Sequence, residues 1–258
     1  MIFDSHAHYD DEAFEKDYNL LIPDLPRKGI GHICDVGASL ESSKRALFLA
    51  ETYEHVYAAV GIHPEHVRQL EEREENLEAI RSLSRSPKVR AIGEIGLDYH
   101  YEENPEPSLQ EKWFRAQLRL AREEKLPVII HSRDAAQDTF RILEEEKAQE
   151  IGGVLHCYSY SSEMAKAFLK FDFYFGFGGV VTFKNAKKAK QAVEQIPLER
   201  IVLETDCPYM APEPHRGERN SSAFLPYIVK GIAQIKGVSE EEVIRVTEEN
   251  AFRLFGLA

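Results

Sequence analysis

VRAIGEIGLDYHYEENPEPSLQEKWFRAQLRLAREEKLPVIIHS, residues 89–132, reads as strand, helix and strand in succession. The run 89–96 is largely apolar, carries Glu94 between Gly93 and Gly96, and has the Val and Ile content of a pleated, buried surface. The loop NPEPS (104–108) follows, with Ser108 placed to N-cap a helix over 109–124 in which Trp113, Leu118 and Leu120 stand among charges. A second apolar run, PVIIHS (127–132), comes directly afterwards. Two strands joined by a helical crossover lie parallel in one sheet.

The same unit repeats outward in both directions. IFDS (2–5), HICDVG (32–37) and VYAAVGI (56–62) precede it, and GVLHCY (153–158), FYFGFGG (173–179) and IVLETD (201–206) follow. Each gap is wide enough for a crossover helix, and Ser239 with Glu242 forms the capping box of a last helix over 240–255. Eight such units in 258 residues predict a single-domain (β/α)8 TIM barrel over residues 1–258, a fold that takes about 250 residues. The acidic run EEREEN (71–76) reads as a solvated helix face, and no linker or low-complexity segment marks a second domain.

Composition narrows the partners. Lysine and arginine total 32 against 44 aspartates and glutamates, a formal net charge of −12. That argues against a surface coated in positive potential for duplex binding, but leaves open a local site where metal and arginine neutralise phosphate. No apolar run is long enough to span a bilayer, and the opening MIFDSHAHYD is not a secretory signal. Cys34, Cys157 and Cys207, an odd number in apolar runs, read as reduced, buried thiols. A cytoplasmic chain with no obligate protein partner is the expectation.

In a parallel barrel, chemistry gathers at the C-terminal ends of the strands. Those ends carry His6 and His8, His63, Glu94 followed by Asp98, His131 with Arg133, His156, and Glu204 with Asp206. His6 and His8 are two residues apart, so extended backbone points both rings to one face. Glu94 in an apolar strand needs a cation, hydrogen-bond partners or an arginine across the mouth. Its two oxygens can also bridge two ions. Singly, His131 and His156 read as core histidines as readily as ligands. Together, four histidines and two acids from five strands on one face point to a divalent-metal centre of His6, His8, Glu94, His131, His156 and Asp206. Mixed imidazole and carboxylate ligands suit Zn, Mn, Mg or similar ions without choosing among them. Strand alternation turns Cys157 and Cys207 away, so thiolate ligation is rejected.

DSHAHYD (4–10), GIHP (61–64), GEIGLDYH (93–100), HSRDA (131–135), LHCYS (155–159), FGGVVTFKNAKK (177–188), ETDCPY (204–209) and TEENAFRLFG (247–256) occur in order along the chain. This ordered set resembles the TatD family of metal-dependent deoxyribonucleases, within the wider amidohydrolase-like barrels. The resemblance implies two ions per chain, one on His6, His8 and Asp206 and one on His131 and His156, with Glu94 bridging. It also implies hydrolysis of DNA phosphodiester bonds, with single-strand exonuclease action as one form, and places Glu94 where many small-molecule relatives use a modified lysine. After APEPHRGERN (211–220) the family commonly has Glu or a similar residue and then Pro; this chain has Ser221 and Ser222, in a loop expected near the mouth.

The resulting expectation is a hydrolase whose metal-activated water is oriented and deprotonated by Asp206, with Glu94 as the second catalytic carboxylate. Arg133 would take a phosphate in bidentate fashion. His63, Glu204, Lys184, Arg216 and Arg219 complete the expected substrate contacts, although Pro64 could also lock His63 into a turn. A small-molecule amidohydrolase or phosphoesterase on the same barrel is the competing reading, and a non-catalytic metal-binding protein a more distant one.

Overall fold

The computed structural model describes residues 1–70 and 74–257. Eight parallel strands form one sheet in chain order: β1 (Ile2–Ala7), β2 (Ile30–Val36), β3 (Val56–Val60), β4 (Val89–Asp98), β5 (Val128–Arg133), β6 (Gly153–Leu155), β7 (Tyr174–Phe177) and β8 (Ile201–Leu203). The barrel closes where the chain beyond β8 meets β1, through Asp206 N–H to His6 O (2.9 Å), Thr205 N–H to His6 O (3.3 Å) and His8 N–H to Cys207 O (2.8 Å). The described helices are α1 (Tyr18–Asp24), α2 (Leu40–Thr52), α3 (Glu74–Ser84), α4 (Pro107–Glu124), α5 (Ala136–Glu145), α6 (Ser162–Phe168), α7 (Lys187–Gln195), α8 (Leu225–Lys236) and α9 (Glu240–Leu254). The expected barrel is therefore the observed one. Among the described residues, no helix is long and apolar enough to cross a membrane. Residues 71–73 of the expected acidic helix face lie outside the described residues.

Several boundaries differ for local reasons. α4 starts at Pro107, with Glu106 rather than Ser108 at the N-cap and no side-chain cap bond, because the fixed φ of proline suits the first helical position. Ser239 accepts from Glu242 N–H as expected, but the Glu242 carboxylate takes Arg245 instead of completing the box. β6 and β8 stop at Leu155 and Leu203, so His156 and residues 204–206 lie past the strand ends, although His156 N–H still reaches Ile130 O (3.0 Å) and Glu204 N–H reaches Phe177 O (3.3 Å). There Cys157 and Asp206 adopt left-handed backbone (φ 45° and 56°). Strand alternation thus does not govern the two cysteines. Cys207 is buried all the same and Cys157 half-buried, and no cysteine joins a metal-type cluster among the described residues.

Two apolar layers position the site. Phe3, Cys34, Val36, Ala59, Ala91, Ile129, Val154 and Val202, from seven of the strands, meet in one cluster, which makes them the barrel lumen. Ala251, Leu254 and Phe255 at the end of α9 plug it, with Phe255 stacked on Phe3 at 5.4 Å. The larger cluster lies between strands and helices. With the N-terminal end of the lumen filled by hydrocarbon, polar side chains collect at the other end.

Candidate metal centre

His131 lies two residues beyond lumenal Ile129 on β5, so alternation carries it into the mouth. Glu94 on β4 is 4% exposed and lies at the centre of the group. Its Oε2 faces His6 Nε2 (3.6 Å) and His8 Nε2 (4.0 Å). Its Oε1 faces His131 Nδ1 (2.9 Å), His156 Nε2 (3.7 Å) and His63 Nε2 (3.9 Å). Asp206 Oδ1 closes the ring, 3.4 Å from His8 Nε2 and 3.7 Å from the Nε2 atoms of both His6 and His156. Three overlapping sets could each hold an ion: His6, His156 and Asp206; His6, His8 and Glu94; His63, Glu94 and His131. All six residues proposed as ligands thus meet, and His63, expected only to touch substrate, stands among them.

The rings are held from behind. His8 Nδ1–H donates to Val36 O at 2.7 Å, which leaves the Nε2 lone pair for the centre. His156 Nδ1 is 3.2 Å from Glu204 Oε2, and Glu204 Oε1 accepts from Cys157 N–H at 2.6 Å. A side chain at Gly176 would collide with that carboxylate. Two glutamines of α4, one heptad apart, grip the backbone at Ile62, next to His63, and at Asp98. Gln117 accepts from Ile62 N–H (2.8 Å) and donates to Ile62 O (3.1 Å). Gln110 does the same with Asp98 N–H (2.8 Å) and Asp98 O (2.9 Å). Their spacing on the buried face was the sequence signal for this role. Asp4, fully buried, accepts from Thr205 Oγ1 (2.7 Å) and Ser222 Oγ (2.6 Å) and ties the β1 and β8 ends together.

The electrostatics fit a cation. Burial alone would lower His131, but hydrogen bonds to Asp98 and Glu94 raise it to about 10. Burial also works against charged His156, yet Glu204, Asp206 and Glu94 raise it to about 9. His63 goes the other way, down to about 3, through burial and the neighbouring His131. Glu94 stays well below the usual carboxylate range, because the surrounding histidines outweigh its burial. Protons thus occupy positions between carboxylates and imidazoles that a metal ion would otherwise take. The His6 and His8 Nε2 atoms lie 3.0 Å apart, where one ring must donate to the other unless a cation accepts both lone pairs. Arg133 is the one lysine or arginine among the described residues lining the mouth. These residues fit divalent metal.

The other expected contacts are distributed unevenly. Arg133 lines the mouth, a cavity of about 500 Å³, with its guanidinium 4.9 Å above the Tyr101 ring. Glu204 is 1% exposed and lies beneath His156, where it does not face substrate. Arg219 is committed to Asp17 (2.6 and 3.0 Å) and Ala13 O, and Arg216 sits over Phe183. Lys184 is exposed, and neither it nor Arg216 or Arg219 lines the mouth. Ser222, expected in a loop near the mouth, is fully buried against Asp4 and Tyr9. Sequence reasoning missed Asp10, Asp11, Ser39, Glu65, Tyr101 and Tyr209, all of which line the mouth. Their loops carry no strand-end signal.

Residues 3–256 match the family described as TatD related DNase. The metal-dependent hydrolase YabD of Bacillus subtilis is 44% identical over 255 residues, covering 99% of each chain. A Citrobacter rodentium protein named 3'-5' ssDNA/RNA exonuclease TatD is 32% identical, with 99% of this chain and 98% of that protein covered. The crystal structure of YjjV, a TatD homologue from Escherichia coli, superposes with a TM-score of 0.91 at 30% identity, covering 100% of this chain and 98% of that one.

Proposed function

The chain belongs to the TatD-related DNase family of metal-dependent hydrolases, and on that premise we propose that it cleaves phosphodiester bonds of DNA, acting on single strands from an end. The division of histidines between the two oxygens of Glu94 carries this reading. Such an arrangement suits two ions, one toward His6, His8 and Asp206, the other toward His131, His156 and His63. Bound divalent ions lower the pKa of water and stabilise charge on the transferring phosphate. The protein does the rest. Asp206 is half-buried in the mouth, and His156, His8 and His6 hold it well below the usual carboxylate range, so it stays ionised; in the proposed reaction it orients the attacking water and accepts its proton. Arg133 orients a phosphate oxygen from the rim. Neutral His63 belongs with the ligands rather than with a proton donor to the leaving group. The exonuclease name of the Citrobacter relative favours nucleic acid as substrate.

A small ester or lactone is the second reading, favoured by the modest, acid-rimmed cavity holding Asp10, Asp11 and Glu65. Metal-loaded protein incubated with labelled single-stranded and duplex DNA, beside a small phosphodiester and a lactone, separates the two. Intact DNA with a turned-over small ester would end the nuclease reading.

A further inference from the structure

The mouth presents a difficulty for a polyanion. Asp10, Asp11 and Glu65 line it with Arg133 as the single guanidinium or ammonium among the described lining residues. What it offers instead is aromatic surface. Tyr101 is 48% exposed and Tyr209 is 55% exposed, and both line the same cavity. Tyr101 follows β4 and Tyr209 follows β8, four strands apart in a ring of eight, so they rise from opposite sides of the mouth. Neither ring is loose. Tyr209 Oη donates to Asp11 Oδ2 at 2.9 Å. Tyr101 packs against the edge of His100 at 4.7 Å and carries the Arg133 guanidinium at 4.9 Å. Exposed rings already held in place lose little freedom when a flat partner stacks on them.

We propose that Tyr101 and Tyr209 are stacking platforms for two unpaired bases flanking the scissile bond, so that the strand is gripped through its bases rather than along its phosphates. This rests on the nucleic-acid reading above and adds a specificity to it. A base inside a duplex has both faces covered by its neighbours and its pair holds it in the helix, so two separate rings flanking one bond can be used only by an unpaired strand; stacking accepts every base because each has a π-face. With Arg133 the one side-chain cation among the described rim residues, few phosphates beyond the one at the metal centre are neutralised on binding, and salt dependence is shallow: each neutralised phosphate of a single strand contributes a slope of about −0.7 in log affinity against log salt.

The test uses the metal-loaded full chain, a single-stranded oligonucleotide, and an abasic strand of equal length and charge. Loss of the bases is expected to raise KM roughly tenfold or more. Tyr101→Ala and Tyr209→Ala should each raise KM for the normal strand and shrink its advantage over the abasic one, while Tyr101→Phe and Tyr209→Phe, which keep the ring, restore it. Equal KM for the two strands, or a salt slope equivalent to several phosphates, would overturn the stacking proposal and leave the nuclease reading standing. Cleavage of neither strand would remove the nuclease reading and this inference with it.

Discussion

Glu204 Oε2 stands 3.2 Å from His156 Nδ1, which turns the other ring nitrogen of His156 toward Glu94 and Asp206. The carboxylate is inaccessible to substrate, so its influence must pass through the imidazole. Glu204→Gln should weaken metal binding by roughly 10- to 100-fold, as loss of a carboxylate partner behind a histidine ligand generally does. Equilibrium dialysis against a buffered metal series measures this; unchanged affinity would rule out the orienting role.

Glu94→Gln keeps the shape of the side chain and removes its charge from between two groups of histidines. Bound metal, measured by elemental analysis after gel filtration, should fall by more than half. Wild-type content would contradict a bridging carboxylate.

His63 separates two roles. Its Nε2 lies 3.9 Å from Glu94 Oε1, within the cluster that includes His131. As a ligand, His63→Ala lowers metal content; as a substrate contact alone, the variant keeps its metal and shows only a higher KM.

His131 and His156, raised to about 10 and about 9, are protonated at neutral pH without metal. Metal must displace those protons, so affinity should rise with pH by about tenfold per unit for each proton released, levelling off above 9–10. Calorimetry in buffers of different ionisation enthalpy counts the protons. The stability trend of metal-free protein has the opposite sign. Each histidine binds its proton more tightly when folded, so its contribution is complete below about 6.5 and is lost as pH rises through the folded value. Thermal melts at pH 6 and pH 10, with and without metal, should therefore diverge.

Asp206→Asn retains size and some ligand capacity but cannot accept a proton. Turnover should fall by roughly 10²- to 10⁴-fold while part of the metal remains. A rate near wild type would exclude Asp206 as the base.

Much of the barrel was legible because strand and helix periodicities differ and alternate eight times. The polar ends of VIIH (128–131) and AVGIH (59–63) stood out against their apolar strand bodies. Glu204 and Arg219 show where that reading stops. Both follow the same strand in sequence, yet one is packed beneath His156 and the other is spent on Asp17. Tyr101 and Tyr209 sit in loops, where no periodicity announces which way a ring will face.

By itself the sequence determined the eightfold strand–helix alternation, the parallel barrel it requires and the set of imidazoles and carboxylates at the strand ends. Only the tertiary structure decided which oxygen of Glu94 each histidine meets, that His63 stands among the candidate ligands, and that Glu204 lies beneath His156 rather than in the mouth. The reason is geometric. Inside a strand the ladder fixes side-chain direction with a period of two. Past the strand ends, direction depends on individual backbone angles, and those are set by partners distant in sequence. At Asp206 the partner is the carbonyl of His6, which accepts its N–H at 2.9 Å while its φ is 56°.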